Sequence, residues 1–168
     1  MCKTTTRTAA PNPALLGDLR LLVDETSLVF EVERAVDAVT SQLPPLVGSP
    51  ALPGIKRLLG LLTYSYSVGA FATDDIYRLT QFDRAAKYFI GDLVVEPEVL
   101  RAFRRANRPW IEACLAQVIG QLAAAADTAS ACEILSPHLS DLPSDTPALQ
   151  LARRRVELAT LLDMALAD

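Results

Sequence analysis

From Ile55 to Gly69 the chain reads I-K-R-L-L-G-L-L-T-Y-S-Y-S-V-G, with charge confined to Lys56 and Arg57 at its start. A helix that is apolar all round cannot lie on a surface; other elements must enclose it. The apolar run continues to Ala72 but is broken by Thr63, Ser65 and Ser67. It also falls short of the roughly 20 residues that cross a bilayer. The stretch therefore predicts the buried centre of a helical bundle. Tyr64 and Tyr66 should be core aromatics whose hydroxyls find partners at the rim. The rest of the chain agrees, since Leu and Ala dominate and runs of strand-forming residues are scarce. The fold class predicted is all-α, a compact multi-helix bundle. A chain of 168 residues, 51% of them hydrophobic, can bury one core and fits a single domain.

Taken in order, residues 1–13 are Thr- and Pro-rich and are expected to form a disordered tail ahead of a single helical domain, 14–168. Ala14 to Val23 could form a short helix. Ser27 is the expected N-cap of the next one, with Val29, Val32, Val36, Val39 and Leu43 on its inner face and Pro44-Pro45 ending it. Gly48 to Gly54 is a turn-rich connection into the central helix. After it, Thr73 reads as the cap of a helix over Asp74 to Gln81, and Phe82 to Ile90 as another, stopped by Gly91. A helix beginning at Pro97 completes three short helices in succession, the layout of a helix-turn-helix-like unit. Arg108-Pro109 should break or kink the chain, since the residue before a proline avoids the α region. The following helix, Trp110 to Ala126, carries no charge from Ala113 onward, so it is buried in this core or against another subunit. Thr128 to Leu135 reads as helical, Asp141 to Pro147 as a loop, and Pro147 to Leu166 as a final helix with Leu151, Leu158, Leu162 and Ala165 inward. Arg153, Arg154 and Arg155 are consecutive, point different ways and are expected to be solvated.

The candidate binding residues lie between Glu96 and Trp110, E-P-E-V-L-R-A-F-R-R-A-N-R-P-W. At about 100° per residue, Arg101, Arg104, Arg105 and Arg108 share an arc of about 100°, while Val99, Phe103 and Ala106 lie opposite. The expected arrangement is Phe103 inward and four guanidiniums outward, facing an anionic partner. Glu98 pairs with Arg101 at i,i+3 and neutralises part of the row. Net charge is −4, yet residues 56–112 hold nine basic and seven acidic side chains, whereas 1–55 hold four and six. An anionic partner should thus meet the middle of the chain, with Lys56 and Arg57 as auxiliaries.

Catalysis and metal binding find no support. Cys2, Cys114 and Cys132 lack paired spacing, His138 is alone, and no cofactor loop or nucleophile motif is present. Cys114 and Cys132 read as small core residues. Asp74-Asp75 are neighbours about 100° apart and suit a helix start better than an acid–base pair. The chain is expected not to be an enzyme and to need no cofactor. The N-terminus has no apolar h-region of a secretory signal.

The order of these pieces resembles the N-terminal helical domain of bacterial insertion-sequence transposases of the InsH type. The likeness covers about seventy residues, within 48–119. It rests on Gly48-Ser49-Pro50 with Pro53, Leu58-Leu59 through Tyr64-Ser65-Tyr66-Ser67-Val68-Gly69, Thr73 and Ile76, Phe89-Ile90-Gly91, and the Pro97-initiated helix with Phe103-Arg104-Arg105. The sequence departs from that family at Glu98-Val99, at Ser49 and at Asp74-Asp75, the last two where the family carries arginine. The resemblance implies a domain that binds double-stranded DNA at transposon ends, in the bacterial cytoplasm, without the separate catalytic domain. Arg101, Arg104, Arg105 and Arg108 would then contact phosphates or a groove. The alternative is an interaction module, self-associating or joining a full-length transposase through Trp110 to Ala126, with no DNA contact.

Overall fold

The computed structural model describes residues 17–42, 52–125 and 146–166. Among them are six α-helices, a 3-10 turn at Leu19–Leu21, and no strand. The helices are α1 (Glu25–Ser41), α2 (Leu52–Ser67), α3 (Thr73–Phe82), α4 (Arg84–Ile90), α5 (Pro97–Ala125) and α6 (Pro147–Ala165). None of them is long and apolar enough to cross a membrane. The all-helical expectation therefore holds for the described residues. The tail 1–13, residues 48–51 of the expected connection, and the expected helix and loop between 126 and 145, with Cys132 and His138, lie outside them, while the connection's last residues, 52–54, already belong to α2.

α2 is the centre, as its composition requires. Every residue from Leu58 to Val68 is buried, hydroxyl-bearing Thr63, Ser65 and Ser67 included. α1, α4 and α5 pack on it, and α6 packs on α5. Gly60 faces the Phe89 ring, where a Cβ would come within 2.5 Å, so only glycine lets α4 approach this closely. Gly69, at φ 84°, ends α2 and lets the Ala70 amide donate to the Ser65 carbonyl at 2.9 Å. Tyr64 and Tyr66 are buried, and each hydroxyl has a partner: Tyr64 donates to Asp83 at 3.3 Å, and Tyr66 accepts from Arg104 at 3.2 Å. Cys114 is buried too, and its burial pushes the thiol up to about 12, leaving it unreactive.

The helix starts differ from expectation in informative ways. α1 is capped by Asp24, not Ser27; the Asp24 carboxylate accepts from the Ser27 amide at 3.0 Å, so the helix begins three residues earlier. Leu28, Val32, Ala35, Val36 and Thr40 are its buried residues, with Val29 and Val39 half-buried. Of the short helix expected before it, residues 19–21 form the 3-10 turn. A single residue, Asp83, separates α3 from α4 and caps the latter by accepting from the Ala86 amide at 2.8 Å. Gly91 stops α4 as predicted, at φ 55° with its amide on the Lys87 carbonyl. The kink expected at Arg108-Pro109 is present: α5 is two helical stretches that meet at Asn107 (φ −121°, ψ 20°), just ahead of Pro109. There the Asn107 side-chain amide donates to the Phe103 carbonyl at 2.9 Å.

Candidate nucleic-acid interface on the arginine helix

The first half of α5 is turned relative to the sequence expectation. Its buried residues are Leu100 and Arg104, followed by Ile111, with Phe103 half-buried between them. Val99 is 45% exposed and Ala106 is exposed. At 100° per residue the inner face lies about a quarter turn from the one predicted. The expectation of four outward guanidiniums free of partners is thus corrected. What turns the helix is a buried carboxylate: Asp163, in the last turns of α6, receives Arg104. A guanidinium with a charge partner can occupy the interior, so the arginine side of the helix need not be the wet one.

Asp163 organises three elements at once. Its carboxylate accepts from the Thr73 amide at 2.9 Å and from the Thr73 hydroxyl, and it meets the Arg104 guanidinium. Thr73 therefore does not cap α3 as expected; Ala72 holds the cap position without a side-chain bond, and Asp163 supplies the missing acceptor. Burial pushes the Asp163 carboxyl up, but the Thr73 hydroxyl and amide, then Arg104, outweigh it and hold it below the ordinary 3.8. Arg104 loses solvation as well, and Tyr66 and Asp163 more than restore its preference for the charged form.

The other candidate residues fall into separate environments. Arg101 is 38% exposed and shared among Glu98 at 3.2 Å, Asp163 at 3.8 Å and Asp74 at 4.0 Å. Arg108 is 45% exposed and bound to Glu112 at 2.6 Å, and Arg153 reaches the same carboxylate at 3.6 Å. Arg105 is exposed, and the structure gives its side chain no ion pair among the described residues. Lys56 pairs with Asp37 at 2.6 Å, and Arg57 donates to the Ile90 carbonyl at 3.4 Å at the end of α4. These two keep different neighbours from the α5 row and are not brought together with it.

The charge-free half of α5 is used up internally. Ile111, Cys114, Leu115, Val118, Ile119 and Leu122 are buried in the core shared with α1, α2 and α6. Of the two alternatives for Trp110 to Ala126, the chain's own core claims this face. No protein-family model, curated protein or solved structure matches the chain. The geometry alone must carry the functional reading. Among the described residues no cluster of His, Cys, Asp or Glu could hold a metal ion.

Sequence reasoning also missed Arg155. It was expected on the surface and is 0% exposed, with its guanidinium on the Tyr66, Ser67 and Gly17 carbonyls. Two of these carbonyls, those of Tyr66 and Ser67, close the C-terminal end of α2, where helix carbonyls lack an intrahelical donor. The available signal was positional: Arg155 follows Leu151 by four residues, on the inward stripe of α6.

Proposed function

We propose that this chain is a non-catalytic helical domain of the transposase type that contacts double-stranded DNA with the outer row of α5: Arg101, Arg105 and Arg108. The observation that carries this reading is Arg105, exposed and without an ion-pair partner among the described residues, flanked one helical turn away on either side by two half-exposed arginines. Spacing of i and i+4 keeps Arg101 and Arg105 on one side of the helix, where they can follow a phosphate backbone, and Arg108 follows just past the bend at Asn107. Arg104 is reassigned from contact to anchor, since its bond to Asp163 fixes the angle at which α5 presents the row. Lys56 and Arg57 are left out of the contact.

Carboxylates already attend two of the three arginines, so DNA must displace Glu98, Asp74 or Glu112 to use them fully. Binding should accordingly be weak, with the modest salt dependence of one to three phosphate contacts. The slope of log affinity against log salt should be about −1 to −3, from about 0.9 per phosphate neutralised. Arg105→Ala should flatten that slope by about one unit and weaken binding several-fold. A fluorescence-anisotropy titration of labelled duplex at several salt concentrations reads both, and an unaltered slope ends the assignment.

A second reading, an interaction module without DNA contact, is favoured by those same carboxylates and by the overall charge of −4. A chain that ignores duplex at low salt yet self-associates in light scattering supports it over the first.

A further inference from the structure

The surroundings of Asp163 are those of a bound anion. Its carboxylate faces a backbone amide and a hydroxyl at the start of the ten-residue α3, both from Thr73, and the buried guanidinium of Arg104. The Arg101 Nε lies 3.8 Å from the same oxygen as Arg104; it is buried and has no hydrogen-bond partner. An amide at a helix start, a hydroxyl and two guanidiniums are donors that suit a phosphate oxyanion. One carboxylate leaves the set incompletely used, as the idle Arg101 Nε records.

The hold on Asp163 is also local. α6 is anchored through Leu151, Ala152, Arg155, Val156 and Ala159. Beyond Ala159, Asp163 is the one buried residue of the helix, and Met164 and Leu166 stand 63% and 65% exposed. Helix ends open at low free energy, so the last turn can lift without disturbing the anchored part.

We propose that Asp163 is an internal plug in an oxyanion site built by Thr73, Arg101 and Arg104, and that a phosphate taking those donors releases the last turn of α6. This rests on the reading of α5 as a DNA-contacting helix and adds its regulation. In the resting chain the plug holds Arg104 out of the row and draws on Arg101. Once it is displaced, two more guanidinium interactions become available to the backbone of the duplex.

The test uses the full chain. Asp163→Asn keeps a side-chain acceptor for the Thr73 amide and removes the competing charge. It should bind duplex roughly tenfold tighter at fixed salt, with a slope steeper by about one to two units. The unaltered chain gives a second readout independent of that variant's folding. On adding saturating duplex, amide hydrogen exchange at residues 163–166 should accelerate while that at 151–156 stays protected. Unchanged or slowed exchange at 163–166 with duplex bound overturns the plug. So does a folded Asp163→Asn chain with wild-type affinity and slope, and if Arg105→Ala still weakens binding the DNA reading survives that failure. If duplex does not bind but inorganic phosphate accelerates exchange at 163–166, the plug stands as a free-phosphate site and the DNA reading falls.

Discussion

Two arginines, Arg104 and Arg155, are almost sealed from water, and the molecule holds them in opposite ways. Arg104 meets a carboxylate, Asp163, and the Tyr66 hydroxyl. Arg155 meets only carbonyls, those of Tyr66, Ser67 and Gly17. Tyr66 thus serves both, one with its side chain and the other with its backbone. Burial alone lowers the proton affinity of either guanidinium. Tyr66 and Asp163 reverse that effect at Arg104, whereas at Arg155 burial prevails and pulls it down to about 10. Helix-end carbonyls can seat a guanidinium, but a fixed negative charge binds its proton far more firmly. The first arginine belongs to a charge pair that can be exchanged, the second to a cap that cannot.

The largest expected effect breaks the charge pair from one side. Asp163→Ala leaves Arg104 buried and unpaired and should cost about 3–5 kcal/mol in denaturant unfolding. Removing both partners, Arg104→Met with Asp163→Leu, should recover only the part due to the unpaired guanidinium, because the Thr73 amide and hydroxyl still lose their acceptor. If the double variant is as unstable as the single one, the pair is not what sets the cost. Next comes Arg155→Met, which should cost about 2–3 kcal/mol, since each orphaned carbonyl costs about 1–3 and the relief of a desolvated cation offsets part of it. Arg155→Lys should not rescue it, as an ammonium lacks the planar fork that spans several carbonyls.

Acid sharpens the same contrast. The Asp163 carboxyl titrates below its ordinary 3.8 in the folded chain, so its contribution is complete above that value and is lost as pH falls through the folded one. Arg155 stays charged, folded or unfolded, throughout that range and contributes no such loss. Unfolding followed from pH 6 down should show a drop below about 3.8 that is smaller in Asp163→Asn. The smallest effect is at the surface: Arg105→Ala should change stability by no more than about 0.5 kcal/mol while altering the salt slope of any DNA binding.

The central helix was legible because a run like Leu58 to Val68 leaves only one placement. Gly91 was legible because its stop requires a positive φ. The phase of α5 was not. Arg104 sits at the border between the two faces, and which side it joins depends on Asp163, fifty-nine residues away in sequence. Periodicity sees a helix's own residues and not the charge that waits in the core for one of them. Asp24 in place of Ser27 and Asp163 in place of a Thr73 cap are versions of the same point: a carboxylate within reach of a helix start takes the amide and hydroxyl of the expected cap residue.

The bend at Asn107 has a mechanical consequence. Behind it α5 is fixed in the core by Ile111, Leu115 and Val118; ahead of it the helix is a lever about 15 Å long, at about 1.5 Å per residue from Pro97. A swing of about 10° at that joint would carry the Pro97 end some 2–3 Å (roughly half a turn's rise), with buried Leu100 and Arg104 repacking as it moves. Asp163 is the stop against which the lever rests, so a contact made at one end of α6 could set the reach of a helix whose base never stirs.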